Sequence, residues 1–317
     1  MPRAKPVVLL VEPIHPKYAK LLERRCRVVR PKGFTEDQLA ESAREADGIL
    51  IRTKGCVSAR IIAAAPRLKV VARHGVGLDH IDLEAATRAG VRVVYTPAGS
   101  LTAVAEHTWM MILALAKKAC TGDRAVRTAD YEARSRGENL QLEDQVLGIL
   151  GLGRIGGRVA QIGRFGFGMK VLYTDLIRYG RKERRLGANK VPLAQLLVKS
   201  DVFSIHVPLT DLTRGMIGAR EIARMKPGAL LINCARGAVL DTRAAARALE
   251  EGRLGGAGVD VFDPEVPPLD HPLLKCANAI LSPHNAAQTA EARLNYAAVA
   301  LDLLRVLDGK APFYPAN

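Results

Sequence analysis

The sequence predicts an α/β chain built on two doubly wound, mostly parallel sheets. Three observations carry that reading. Short apolar runs alternate with helix-like segments in two separate series, a turn-rich break divides the series, and the first strand-to-helix junction of the second is a glycine-rich turn. In the first series the strand-like runs are Val7–Val11, Val28–Val29, Gly48–Ile51, Leu68–Ala72 and Val91–Val94. Helix-like segments lie between them at Pro16–Arg25, Glu36–Glu45, Ser58–Ala64 and Asp82–Ala89. Near-continuous apolar strands of this kind suit a parallel sheet covered on both faces.

The break is Thr96-Pro97-Ala98-Gly99. A helix free of glycine and proline is predicted over Ser100–Ala119, and Thr121–Asp144 is polar and weakly periodic. The second series has strand-like runs at Val146–Leu150, Lys170–Tyr173, Val202–His206, Ala229–Asn233, Gly256–Val261 and Ala279–Leu281. Its helices fit Arg154–Arg164, Leu193–Lys199, Ala219–Met225 and Asp241–Glu251, with a last helix at Glu291–Asp308. The expected division is residues 1–98 plus 286–317 as one domain, with 99–285 inserted as the other.

The turn between the run ending at Leu150 and the helix from Ile155 reads Gly151-x-Gly153-x-x-Gly156, and Asp175 follows 19 residues after its last glycine. Gly151 permits a tight turn, Gly153 admits a pyrophosphate close to the backbone, and Gly156 lets helix and strand pack closely. The open amides and positive dipole end of the helix then face the phosphates. Asp175 closes the next strand, where a carboxylate accepts hydrogen bonds from an adenosine ribose. Such a carboxylate repels a 2′-phosphate, so the pattern predicts NAD rather than NADP.

Composition excludes other classes. The 317 residues carry 47 Lys and Arg against 32 Asp and Glu, a net charge of +15. The basic residues are spread along the chain and mixed with acids, and aromatics make up only 4%. A solvated basic surface that attracts anionic substrates is therefore favoured over nucleic-acid binding. The densest basic cluster is Arg178, Arg181, Lys182, Arg184 and Arg185. No uncharged apolar run approaches the ~20 residues of a membrane span, and no long apolar signal region follows the N-terminal Met-Pro-Arg-Ala-Lys-Pro, so no membrane association is expected. Five cysteines without a CxxC pair read as reduced thiols in a cytoplasm. No metal-ligand spacing is present.

Three polar residues fall at predicted strand ends downstream: Arg236, Glu265 and His284. Carboxyl ends of strands in such a sheet face the ligand crevice. A guanidinium there clamps the carboxylate and ketone oxygen of a 2-oxo acid in a planar fork. An imidazolium hands a proton to the carbonyl oxygen while hydride arrives at its carbon. A carboxylate beside the imidazole favours its charged form and fixes the ring. The remaining histidines, 15, 74, 80, 107 and 271, have no comparable setting.

The chain resembles the D-isomer-specific 2-hydroxyacid dehydrogenase family, which includes D-3-phosphoglycerate dehydrogenases and glyoxylate/hydroxypyruvate reductases. The resemblance spans nearly the whole length. It rests on the glycine turn with Asp175, His206-Val-Pro208-Leu-Thr210, Asn233-Cys-Ala-Arg236-Gly237, Asp260-Val-Phe, Glu265 and Ser282-Pro283-His284. It implies a Rossmann-type NAD domain inserted into a flavodoxin-like substrate domain. It further implies Arg236 as substrate clamp, His284 as acid/base and Glu265 as its partner. Asp260 would meet the nicotinamide carboxamide, and His206, Pro208 and Thr213 would line the cofactor cleft. Arg154 and Ile155 in the turn, and Cys234 and Ala235 beside Arg236, complete the implied cofactor contacts.

In the first domain Arg73-His74-Gly75-Val76-Gly77 matches the family's glycine-rich loop, whose amides at Gly75 and Val76 would bind the substrate carboxylate. The segment Ser100–Ala119 would link the domains and form part of a homodimer interface. Two positions depart from the family: Ser100 stands where members often carry asparagine, and Asn285 where they carry an aliphatic residue. Both border the substrate region in the family, so they leave substrate identity open. Arg52 and Lys54 match a place where phosphoglycerate-type members hold basic residues, and read either as a contact for a phosphate or second anion or as a solvated pair. The expected activity is NAD-dependent interconversion of a small D-2-hydroxy acid and its 2-oxo acid in the cytoplasm. The alternatives are an NAD-sensing corepressor of the same fold, which typically carries extra terminal segments, and a formate dehydrogenase, in which glutamine replaces the glutamate.

Overall fold

The computed structural model describes residues 4–317. The chain divides into two compact units, one of residues up to Ser100 together with Gln288–Asn317, the other Leu101–Ala287.

The first unit runs β1 (Val7–Leu10), α1 (Pro16–Arg25), β2 (Arg27–Val29), α2 (Glu36–Ala43), β3 (Gly48–Ile51), α3 (Ala59–Ala64), β4 (Val70–Arg73), α4 (Leu83–Arg88) and β5 (Arg92–Tyr95). The strands form one parallel sheet in the order β2-β1-β3-β4-β5, the flavodoxin-like order. The helix starts follow local chemistry. Thr35 and Gln38 make a capping box at α2, and Ser58 and Asp82 accept N-cap hydrogen bonds from the backbone N–H groups of Ile61 and Ala85. The central strands β1, β3 and β4 are buried throughout, because helices cover both faces.

The second unit opens with α5 (Leu101–Ala116) and α6 (Ala119–Arg127). It then alternates β6 (Val146–Leu150), α7 (Arg154–Gly166), β7 (Lys170–Thr174), α8 (Arg181–Leu186), β8 (Asn189–Lys190), α9 (Leu193–Lys199), β9 (Val202–Ile205), α10 (Ala219–Ile222), β10 (Ala229–Asn233), α11 (Thr242–Glu250), β11 (Leu254–Val259) and β12 (Ala279–Leu281). The sheet is parallel in the order β12-β11-β10-β9-β6-β7-β8. Strand order reverses beside β6, the Rossmann switch point, so the turn after β6 opens into the crevice. α12 (Ala290–Ala297) and α13 (Val299–Leu307) return to the first unit, where Val299, Leu303 and Leu304 join the core on the β4 side of its sheet.

The structure differs from expectation at four places. The short strand β8 makes the second sheet seven-stranded rather than six; a two-residue strand carries no alternation to read. The basic cluster at 181–186 is the helix α8. The helix predicted from Ser100 begins at Leu101 and ends at Ala116, and after Lys118 in the left-handed conformation (φ 49°) α6 continues into the segment read as weakly periodic. The single C-terminal helix is two, meeting at Ala298.

Candidate active site

The parallel sheet of the second unit gathers the predicted residues at one edge. The glycine turn follows β6, Asp175 follows β7, and His206 follows β9. Arg236 follows β10, Asp260 and Glu265 follow β11, and His284 follows β12. All lie beyond carboxyl ends of neighbouring strands.

The three glycines meet distinct demands. Gly151 has φ +94°, and a Cβ there would lie 2.8 Å from the His206 carbonyl oxygen across the switch point. At Gly156 it would lie 2.1 Å from the Gly151 carbonyl oxygen, so turn and helix could not close. At Gly153 it would meet nothing within 4 Å. Gly153 caps α7 without a side-chain hydrogen bond, and Arg154 and Ile155 form the first helical turn. The turn thus offers open space beside the exposed amides of a helix start, which fits the pyrophosphate of a dinucleotide. Asp175 is half-buried, and its Oδ2 accepts from the Leu152 N–H at 2.8 Å, which ties the second strand end to the turn. The residues present fit NAD.

His206 is neutral, because burial pushes its pKa down to about 3, and its Nε2 shares a hydrogen bond of 2.8 Å with Ser204 Oγ. Pro208 is exposed, and Thr213 fastens its loop by donating from Oγ1 to the Pro208 carbonyl at 2.6 Å. Cys234 is buried against Met111, and burial raises its thiol to about 12, so it is no nucleophile. Ala235 beside it is half-buried.

Arg236 is half-buried, with Nη1 donating to the Ala235 carbonyl at 2.7 Å. Asn233 braces this loop: its Nδ2 donates to the Arg236 carbonyl at 3.0 Å while its Oδ1 accepts the Ala235 N–H at 3.0 Å. A Cβ on Gly237 would stand 2.1 Å from the Phe262 backbone, so this glycine lets the loops after β10 and β11 lie against each other. The loop after β12 comes to the same place. His284 Nδ1 lies 2.5 Å from Glu265 Oε1, and both side chains are about half open to solvent, 46% and 65%. His284 holds a left-handed backbone, φ +51°, unusual for a non-glycine residue and frequent at functional sites.

Asp260 is what makes that conformation persist. Its side chain is 1% exposed; Oδ1 accepts from the Ser282 hydroxyl and the Asn285 N–H, Oδ2 from the Ala286 N–H, and its carbonyl accepts the His284 N–H at 2.7 Å. The carboxylate expected to meet the carboxamide is thus also the brace of the histidine loop. His107, given no chemistry in the sequence, reaches Ser282 Oγ at 2.9 Å from α5 and stands 3.6 Å from Asp260. A separation of 175 residues left no local signal for it.

In the first unit the glycine-rich loop follows β4. Arg73 is buried and donates from Nε to the Gly77 carbonyl at 2.7 Å and from Nη1 to the Arg52 carbonyl. The Gly75 N–H closes onto the Arg73 carbonyl at 2.9 Å, so of the two expected amides it is turned into the chain. Val76, half-buried, follows it. His74 is buried against the Tyr296 ring, and burial lowers its pKa to about 4. Ser100 is buried at the end of this unit. Glu12 underpins Arg52 and Lys54, accepting from the Thr53 hydroxyl at 2.7 Å, the Lys54 N–H at 2.7 Å and the Thr53 N–H. Burial alone would raise the Glu12 pKa, but these donors and the Arg52 charge together hold it below the usual value. Lys54 Nζ sits 4.8 Å from the centre of the Phe34 ring.

Among the described residues no helix is long and apolar enough to cross a membrane.

Comparison with known proteins agrees with this geometry. Residues 109–286 match the model of the D-isomer specific 2-hydroxyacid dehydrogenase NAD binding domain. A glyoxylate reductase of Aeropyrum pernix is 39% identical over 320 residues, covering 97% of this chain and 95% of that protein. A D-3-phosphoglycerate dehydrogenase of Methanocaldococcus jannaschii is 37% identical over 90% of this chain, which spans only 54% of that protein. A D-lactate dehydrogenase from Aquifex aeolicus, solved with NAD and lactic acid, superposes with TM-score 0.84 at 31% identity, covering 96% of this chain and 98% of that one. The chain belongs to the D-isomer-specific 2-hydroxyacid dehydrogenase family. It is an NAD-dependent D-2-hydroxyacid dehydrogenase.

Proposed function

We propose that the enzyme reduces a small 2-oxo acid of the glyoxylate or hydroxypyruvate type to the D-2-hydroxy acid, with His284 as acid. The single observation that carries the reading is the His284–Glu265 contact of 2.5 Å at neighbouring strand ends, beside the Arg236 loop. Bound NADH supplies the hydride to the carbonyl carbon. His284 passes its proton to the carbonyl oxygen as that oxygen gains charge. Glu265, in contact with Nδ1, fixes the ring so that Nε2 faces the substrate. Arg236 holds the substrate carboxylate and carbonyl oxygen through its planar fork. Asp260 and His107 hold the 282–286 loop, and so the position of the acid. Asp175 favours NAD by repelling a 2′-phosphate.

From the first unit, the amide of Val76 is the carboxylate donor, with Gly75 supplying the turn and Ser100 a small neighbouring wall. The glyoxylate type is preferred because the Aeropyrum pernix glyoxylate reductase matches nearly end to end. A second reading, a phosphorylated 2-oxo acid, is favoured by one observation: the buried Glu12 holds the Arg52–Lys54 loop in place, as a solvated pair does not require. NADH oxidation with glyoxylate, hydroxypyruvate and phosphohydroxypyruvate tests both. Higher kcat/KM for the unphosphorylated acids supports the first reading, and a preference for phosphohydroxypyruvate replaces it with the second. No turnover of any of the three refutes both. We also propose a cytoplasmic homodimer; light scattering at twice the 34.2 kDa chain mass checks the assembly.

A further inference from the structure

The basic cluster on α8 is not uniform. Arg181, Arg184 and Arg185 are exposed, whereas Lys182 turns inward to the glycine turn. Its Nζ donates to the Leu152 carbonyl and to the Gly153 carbonyl, each at 2.9 Å. The ammonium lies 4.4 Å from the centre of the Tyr179 ring, and a Cβ on Gly157 would come 3.1 Å from it. Partial burial lowers its pKa, with the Asp175 charge opposing that shift.

Elementary peptide geometry gives this contact a consequence. In a trans peptide the C=O and N–H point to opposite sides. The Leu152 carbonyl shares its peptide with the Gly153 N–H, and the Gly153 carbonyl shares its peptide with the Arg154 N–H. A cation that draws both carbonyls to one side therefore turns both amides to the other. On that turn an added Cβ at Gly153 meets nothing within 4 Å. The preceding peptide is held separately, by Asp175 on the Leu152 N–H.

We propose that Lys182 is a positioning residue for the dinucleotide: by holding the Leu152 and Gly153 carbonyls it presents the Gly153 and Arg154 amides, already oriented, to the pyrophosphate. The proposal rests on reading the glycine turn as the pyrophosphate site. Without Lys182 the Leu152 carbonyl loses this anchor and the Gly153 carbonyl keeps only the Gly157 N–H, at 3.1 Å, so more of the ordering is carried by each binding event.

The test uses the full chain. NADH dissociation constants are measured by fluorescence, and ADP-ribose and adenosine by displacement, for Lys182→Met, Lys182→Arg and Gly153→Ala. Loss of two hydrogen bonds from a charged donor predicts that Lys182→Met weakens NADH and ADP-ribose roughly 10-fold or more. Adenosine, which lacks the pyrophosphate, should move less than about twofold, kcat at saturating NADH should hold, and Lys182→Arg should recover most of the affinity. Equal loss for all three ligands, or wild-type NADH affinity in Lys182→Met, overturns the proposal. Should methionine prevent folding, Lys182→Gln replaces it, and failure of both to fold also overturns it, since the role is then stability. Gly153→Ala separates the premises: if it abolishes NADH binding while Lys182→Met does not, the pyrophosphate site stands and only the role of Lys182 falls. If Gly153→Ala binds NADH normally, the site itself is wrong.

Discussion

The two units share one architecture and use it in opposite ways. Each is a parallel sheet between helices, and each carries its polar residues beyond the carboxyl ends of the strands. In the second unit the side chains proposed for the chemistry stand open to solvent on braced loops, as His284 and Glu265 do, while the bracing Asp260 and Asn233 are buried. In the first unit the polar side chains of the loop after β4, Arg73 and His74, are themselves buried, and what the loop presents is backbone. One sheet end displays side-chain chemistry; the other shapes a main-chain surface and spends its arginine on holding it.

That contrast can be broken most decisively at His284. Its alanine variant should lose at least 10²-fold, and up to about 10⁴-fold, in kcat for reduction, with the NADH dissociation constant nearly unchanged. Stopped-flow turnover and NADH titration measure the two, and near-normal turnover removes His284 from the chemistry.

The next effect is on stability. His74 titrates near 4 when folded against 6.5 when exposed. Between those values the unfolded chain binds a proton that the folded chain refuses, so the stabilisation is complete above pH 6.5 and is lost as the pH falls toward 4. The shift corresponds to about 3 kcal/mol. His206, lowered to about 3 by burial, acts with the same sign in the second unit. Denaturant melts from pH 7 to 4.5 should show this loss, and His74→Phe, which keeps a ring on Tyr296, should flatten the acid limb. An unchanged acid slope in that variant excludes His74 as its source.

Gly237→Ala sharpens the role of the braced loops. A methyl 2.1 Å from the Phe262 backbone forces the Arg236 loop to shift, so kcat/KM for the oxo acid should fall roughly 10-fold, as misplacement of a positioning group does. NADH affinity should change far less, and a larger change in NADH binding than in kcat/KM would assign the loop to the cofactor instead. Glu265→Gln should be the mildest. It replaces the oxygen pair that holds Nδ1 with an amide, so kcat for reduction should fall severalfold while the NADH dissociation constant stays nearly unchanged. Wild-type kcat in this variant disconnects Glu265 from His284.

Much of this was legible in the chain. Glycines, an acid after a strand, and polar residues directly after apolar runs are local patterns, and local patterns survive being read one residue at a time. β8 and α6 were not legible, since the first is two residues long and the second is polar and largely exposed. Neither His107 nor Lys182 was legible as a positioning group. The one lies 175 residues from the serine it touches, and the other sits in a run of arginines with the same charge and a different direction. Nor did composition reveal that Gly75 turns its N–H onto Arg73.

By itself, then, the amino-acid order determined the two parallel sheets and the dinucleotide turn, and it marked Arg236, Glu265 and His284 as candidates at strand ends, because each depends on spacing along one strand–turn–helix unit. Tertiary structure alone decided that Asp260 braces the histidine loop, and which of five basic neighbours reaches the turn. Those choices depend on what packing places opposite each side chain, and no interval in a sequence encodes the direction in which a side chain points across a sheet.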